Sequence, residues 1–172
     1  MKLLIVYHSK TGFTARYAAW LAEATGGELV PLQEADAARM AAFDTVVFAS
    51  RFHAGRIQKL GWFCQHAPQG ARKLVLVTGA SPAGSPDIQT AIGQNFPTGR
   101  DRYEVFYLPG GLCYEKMGPL DRLMMRIFRA MTNAKRDKTE SEQVMAQALA
   151  ASYDLSKKEY LQPVLDCLAQ SR

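Results

Sequence analysis

Short, uninterrupted apolar runs alternate with segments of helical periodicity along this chain. Leu3–Tyr7, Thr45–Ala49, Leu74–Val77 and Val105–Leu108 are rich in Val, Leu, Ile and aromatic residues, with no polar alternation. A strand buried on both faces has this pattern, as in a parallel sheet. A weaker run, Glu28–Leu32, contains Pro31 and reads as an edge strand, where the missing N–H is tolerated. Between the runs, Phe13, Tyr17, Leu21 and Ala24 recur at helical spacing, and Gly26-Gly27 supplies a stop. Ile57, Leu60, Phe63 and Cys64 form a second apolar helix face. Ile88, Ala91 and Ile92 form a third, in a helix beginning near Pro86. Strand–helix alternation implies right-handed crossovers. The expected fold is α/β, a doubly wound five-stranded parallel sheet of order 2-1-3-4-5.

More chain follows the last strand than this sheet requires. Leu120, Leu123, Met124, Ile127, Phe128 and Met131 make an apolar stripe, with Arg122, Arg126 and Arg129 on another face and Lys135, Arg136 and Lys138 beyond. Such a stripe ordinarily faces a core. The basic residues beside it also suit an anionic membrane surface, so the stretch 120–138 is a candidate peripheral contact. Arg129–Glu142 is the most polar stretch and reads as a loop. A helix is expected from about Ser141 to Tyr153, opened by the Thr139-x-x-Glu142 capping pattern, and a last one near Lys157–Ala169. The chain thus reads as one domain, 1–172, with a helical extension over about 139–172.

Composition narrows the partners. At 172 residues with 48% hydrophobic and 22% charged, the chain can bury a core without a metal or disulfide staple. No apolar run is long enough to span a bilayer, and the N-terminal run is too short for a secretion signal, so the expected location is cytoplasmic, with the inner membrane face as the peripheral alternative. Cys64, Cys113 and Cys167 are odd in number and far apart, which implies neither a disulfide framework nor a metal site. The formal charge of +5 bears on partners and not on fold. No groove-reading motif accompanies it, so nucleic acid is not expected.

The candidate chemistry begins at Ser9-Lys10-Thr11-Gly12-Phe13-Thr14, between the first strand and the first helix. The carboxyl edge of an open α/β sheet is where ligands bind. This turn offers backbone N–H groups, three hydroxyls and the positive end of a helix dipole, which together suit a phosphate. Gly12 lets the backbone approach an anion closely. Two more loops are expected on the same rim: Ser50-Arg51-Phe52-His53-Ala54-Gly55-Arg56 and Thr78-Gly79-Ala80-Ser81-Pro82-Ala83-Gly84.

The pattern (Ser/Thr)-x-Thr-Gly-x-Thr after an N-terminal strand resembles the FMN phosphate loop of flavodoxins, and Ser9, Thr11, Gly12 and Thr14 fill its fixed positions. The resemblance implies non-covalent FMN. Ser9, Lys10, Thr11, Gly12, Phe13 and Thr14 would lie at the phosphate, and Ser50, Phe52, His53, Ala54, Gly55, Thr78, Gly79 and Gly84 would border the ring. Phe52 or His53 is placed to stack on the flavin, and His53 is the one candidate acid or base. The loop after Thr78 has no aromatic residue to cover the outer flavin face.

A second segment, Gly110-Gly111-Leu112-Cys113-Tyr114 followed by Leu120-Asp121-Arg122-Leu123-Met124, resembles the flavodoxin-like menaquinone-dependent protoporphyrinogen dehydrogenases. That resemblance implies an FMN-dependent oxidoreductase with a quinone or porphyrinogen as redox partner. The basic charge also departs from the usually acidic electron-shuttle flavodoxins. Two other readings stand beside it: a one-electron transfer flavodoxin, and a non-catalytic binding domain whose flavin site is lost. Asp121 and Arg122 read equally as a helix-surface ion pair.

Overall fold

The computed structural model describes residues 2–96, 99–134 and 149–170. Five strands run parallel: β1 (Leu3–Tyr7), β2 (Glu28–Pro31), β3 (Thr45–His53), β5 (Arg72–Gly79) and β6 (Glu104–Pro109). Their order is β2-β1-β3-β5-β6, with the two-residue β4 (Arg56–Ile57) folded back antiparallel on the end of β3. With that hairpin set aside, the order is the expected one.

The continuous apolar runs become central strands because both sheet faces are covered. Leu4, Val6, Val46, Phe48, Val75 and Val77 point to one face, against Leu60 and Phe63 of α3 (Leu60–His66) and Ile88 and Ile92 of α4 (Asp87–Asn95). Leu3, Ile5, Val47, Ala49, Leu74, Leu76 and Leu108 point to the other. They meet Tyr17, Ala18 and Leu21 of α1 (Phe13–Thr25) and Val164 and Leu168 of α6 (Gln162–Ala169). Side chains alternate between faces with period two, so a strand that is apolar at every position fills both layers. Phe48 and Phe63 stack with centroids 4.8 Å apart, fixing α3 on the sheet.

Several expectations are corrected. β3 continues through Ser50, Arg51, Phe52 and His53, because Ser50 and Arg51 still pair with Val77 and Thr78 of β5. Those residues are strand, not loop, and only Ala54 and Gly55 form the turn to β4. Likewise Thr78 and Gly79 end β5 rather than open a loop. Between α1 and β3, the one-turn α2 (Ala37–Met40) is capped by Asp36, whose side chain accepts from the Arg39 N–H.

α5 (Pro119–Ala134) runs straight through Arg129, where a loop was expected. Its stripe does not face a core: Leu120, Leu123, Ile127 and Met131 are 53–76% exposed. Helical spacing reports a one-sided face but not what covers it.

Leu112 and Gly111 (β7) pair antiparallel with Tyr153 and Asp154 (β8), so Tyr153 ends no helix. The rest of the helix expected over Ser141–Tyr153, with its cap at Thr139, falls outside the described residues except at its end, where 149–151 is a turn and bend. The Lys157–Ala169 segment is a 3₁₀ turn, Lys158–Leu161, followed by α6, with a proline in the first helical turn. This C-terminal helical segment packs on the sheet through Leu161, Val164 and Leu168. Among the described residues no helix is long and apolar enough to cross a membrane.

Candidate functional site

The Ser9–Thr14 turn lies at the carboxyl edge of β1. Gly12 is the N-cap of α1 at φ 101°, a conformation open to glycine, and no side chain caps the helix. The first-turn amides therefore point outward without a side-chain acceptor, the arrangement that receives an anion. The ordinary alternative for a hydroxyl-rich turn, a Ser or Thr N-cap, is not what forms. Ser9 instead shapes the loop, its Oγ accepting from Gly12 N–H at 3.2 Å. A side chain at Gly12 would fill this cradle, its Cβ lying 3.5 Å from Lys116 Nζ. Lys116 thus brings a cation over the turn. A phosphate monoester fits this donor set of amides, hydroxyls and ammonium.

Thr14 faces inward. It is 2% exposed, and its hydroxyl shares a 2.7 Å hydrogen bond with Thr78 of β5. Thr14 and Thr78 lock the loop to the sheet and are not free for a ligand. Ser50 is also fully buried and donates to Gln58 C=O at 2.6 Å, holding the β3–β4 hairpin. Asn95 of α4 pins the same hairpin, donating to Gly55 C=O and accepting from Ile57 N–H. Phe52 packs on the α3–α4 side of the core, 6.4 Å from the Tyr107 ring. Ala54, Gly55 and Gly84 are exposed turn residues.

A charged cluster joins the rim. Lys10 Nζ donates to Asp121 Oδ2 at 2.6 Å, linking the turn to the first turn of α5. Asp121 Oδ1 lies 3.9 Å from His53 Nε2. His53 Nδ1 in turn is 3.3 Å from an Arg51 guanidinium nitrogen. Arginine has only donors, so His53 Nδ1 is the acceptor and a neutral His53 carries its proton on Nε2, toward Asp121. The Lys10 hydrogen bond, above all, holds the Asp121 carboxyl below its usual range. His8, at the end of β1, is pushed to lower pKa by burial and by the Arg51 and Lys59 charges, so it is neutral. His8 Nδ1 and Arg51 Nε are both buried without a hydrogen-bond partner among the described residues. Orphaned buried polar atoms beside a ligand edge are what an absent polar group would satisfy.

The far side of the rim is built by the Gly110-Gly111 segment. A Cβ at Gly110 would lie 3.2 Å from Gly79 C=O and from Phe13 Cβ, so the backbone closes directly on the turn. Tyr17, fully buried in α1, donates to Pro109 C=O at 2.7 Å, and Tyr153 donates to Ala80 C=O at 2.8 Å. The Tyr107 hydroxyl donates to Ser81 C=O at 2.8 Å and fixes the start of the Ala80–Gly84 loop.

The structure therefore brings together Ser9, Lys10, Thr11, Gly12, Phe13 and His53, and assigns Thr14, Ser50, Phe52 and Thr78 to supporting roles. Lys116 and His8 are site residues that sequence patterns did not single out, while Arg51 entered only as a member of the Ser50–Arg56 loop and Asp121 only through the second motif. Asp121 does not pair with Arg122, whose guanidinium donates to the Tyr114 and Glu115 carbonyls. Contacts spanning more than 100 residues leave no local pattern; the Asp-Arg step of the second motif was the one available signal.

Solved structures of similar fold include a flavodoxin from the domain Archaea, at 15% identity and TM-score 0.48 over 74% of this chain and 96% of that one. The Trp repressor binding protein from Bacillus subtilis matches at 16% identity and TM-score 0.48, over 80% and 100%. The flavodoxin of Megasphaera elsdenii matches at 23% identity and TM-score 0.43, over 61% and 82%. These likenesses concern fold alone. No curated protein sequence matches the chain. The flavodoxin domain model matches residues 4–139, from β1 past the end of α5. The chain belongs to the flavodoxin domain family.

Proposed function

We propose that this protein is an FMN-dependent oxidoreductase that takes electrons from a porphyrinogen and delivers them to a quinone. One observation carries the reading: the Gly110–Met124 segment is built onto the phosphate turn, with Asp121 on Lys10 and Lys116 over Gly12. Gly110–Tyr114 and Leu120–Met124, with Asp121 among them, are the stretches through which the chain resembles the menaquinone-dependent protoporphyrinogen dehydrogenases.

In this reading the α1 amides, Ser9, Thr11 and Lys116 hold the FMN phosphate, and Gly12 lets it approach. The bound flavin supplies hydride and electron transfer, and the protein positions it. Ser81, Pro82 and Ala83 contribute no aromatic side chain of their own at the rim, which would leave the outer flavin face to a substrate. His53 moves a proton at Nε2. Asp121 stabilises the imidazolium while it is charged, and Arg51 keeps the ring in one tautomer. A quinone takes up two protons with two electrons, so a relay at the rim has work to do.

The test is quinone-coupled oxidation of a porphyrinogen by the FMN-loaded protein, followed across pH for wild type and His53→Gln. Turnover that needs quinone, with a pH limb lost in His53→Gln, supports the reading. An FMN-loaded protein that oxidises no porphyrinogen with any quinone refutes it and returns the one-electron carrier reading. A protein that takes up no FMN refutes both.

A further inference from the structure

α5 is a two-faced helix whose apolar face is turned outward. Leu120, Leu123, Met124, Ile127, Phe128 and Met131 are 37–76% exposed. At about 100° per residue they fall within an arc of about 140°. Asp121, Met125, Arg129 and Thr132 are the less exposed positions and mark the side toward the protein body. A contiguous outward row of large apolar side chains is not ordinary surface.

Charge selects the occupant. The helix contains one carboxylate, Asp121, and it is turned inward on Lys10. Its remaining charges are Arg122, Arg126 and Arg129, all on the arc opposite the stripe. Arg122 is held in place by the Tyr114 and Glu115 carbonyls. A second copy of the chain would cover the stripe but bring no counter-charge to the exposed Arg126. An anionic leaflet answers both faces. Its acyl boundary receives the apolar residues, and its phosphates receive the exposed Arg126 guanidinium, whose stem reaches along the helix to the headgroups, while Arg122 keeps its carbonyl partners and Arg129 adds positive charge on the body side.

We propose that α5 is an interfacial anchor that lies in the surface of an anionic bilayer, apolar stripe inward, without crossing it. The Lys10–Asp121 bridge ties the anchor's first turn to the phosphate turn, so docking fixes the candidate site against the leaflet. Where the proposed function holds, that is the side from which a membrane-dissolved quinone arrives. Membrane docking itself does not depend on the flavin reading.

The experiment is vesicle flotation of the full chain, with phosphatidylcholine vesicles and with vesicles that also contain phosphatidylglycerol. The variants are Ile127→Glu/Phe128→Glu and Arg126→Glu. All of these positions are exposed, and circular dichroism melts check that the fold is kept. Wild type is expected to float with the anionic vesicles and to be released by high salt. The double variant should lose binding by more than about tenfold. Arg126→Glu should lose about fivefold or more on anionic vesicles only. The proposal is overturned if wild type ignores anionic vesicles, or if the double variant binds as wild type does. It is equally overturned if light scattering shows a stable dimer that the double variant dissolves, which would assign the stripe to a second copy.

Discussion

Gly111 is the position where one methyl group should do the most damage. Its φ is 153°, and a Cβ built there lies 2.1 Å from the carbonyl oxygen and 3.0 Å from the carbonyl carbon of Tyr153. The opposing atoms are backbone, so no rotamer change relieves the clash. The Cβ must retreat about 0.9 Å merely to reach 3.0 Å, the shortest separation real Cβ atoms tolerate. That retreat opens the β7–β8 pair and presses on the Phe13 ring, 3.1 Å away on the other side. Overpacking of this kind costs about 1–3 kcal/mol, and the backbone strain adds about 1–2 kcal/mol. Gly111→Ala should therefore destabilise the fold by about 2–5 kcal/mol, lowering the Tm of a domain this size by about 10 °C. It should also weaken FMN binding, because Phe13 begins the helix at the phosphate turn. The control is Gly61→Ala in α3, where a Cβ meets nothing within 4 Å. It should raise stability by about 0.5–1 kcal/mol. Differential scanning calorimetry and a urea titration read both. A Gly111→Ala protein that melts with wild type would refute the close approach of β7 and β8.

Two further outcomes concern charge and pH. Arg72 grips Glu104 through Nε and Nη2, at 2.6 and 2.7 Å, across β5 and β6, and the same Nη2 also donates to Cys167 C=O at 2.9 Å. The Arg72 hydrogen bonds, chiefly, hold the Glu104 carboxyl low, so its contribution is present above the usual carboxylate pKa and is lost as pH falls through the depressed value. Glu104 is 40% exposed, so Glu104→Gln should cost only about 1 kcal/mol at neutral pH, and less in acid, by urea denaturation. At the alkaline end, burial pushes Tyr17, Tyr103 and Tyr107 up to about 12. Their folded values exceed the unfolded one, so the stability they confer is complete below pH 10 and is lost between about 10 and 12. Absorbance titration near 295 nm should show these three ionising above the usual tyrosine range, together with unfolding, and burial pushes Tyr153 in the same direction. Ionisation of all seven tyrosines near pH 10 in a still-folded protein would contradict their burial.

Much of the architecture is legible in sequence because a parallel sheet has to be apolar on both faces. The runs at Leu3, Thr45, Leu74 and Val105 could not be satisfied at a surface. The phosphate turn is legible for a similar reason, since few other uses place hydroxyls and a glycine between a strand and a helix. What escaped depends on neighbours distant in sequence. Arg51 and His53 look like loop because they are polar, yet β5 pairs with Arg51 and β4 with His53. Lys10 and Asp121 meet across 111 residues. β7 and β8 have two residues each, too few for any periodicity to register. α5 carries the same spacing whether its stripe meets a core or a leaflet, and only its three arginines and single carboxylate hint at which.

The Ser9–Thr14 turn is expected to hold the phosphate of FMN. Fluorescence titration of the purified chain with FMN and with riboflavin, for wild type and Thr11→Asp, addresses it directly. Wild type should quench one FMN per chain at micromolar concentration and bind riboflavin at least about tenfold more weakly, for want of the charge-assisted phosphate hydrogen bonds. Thr11→Asp, which sets a carboxylate against the phosphate, should lose FMN while keeping its fold. No uptake of FMN at micromolar excess, or equal affinity for FMN and riboflavin, would contradict it.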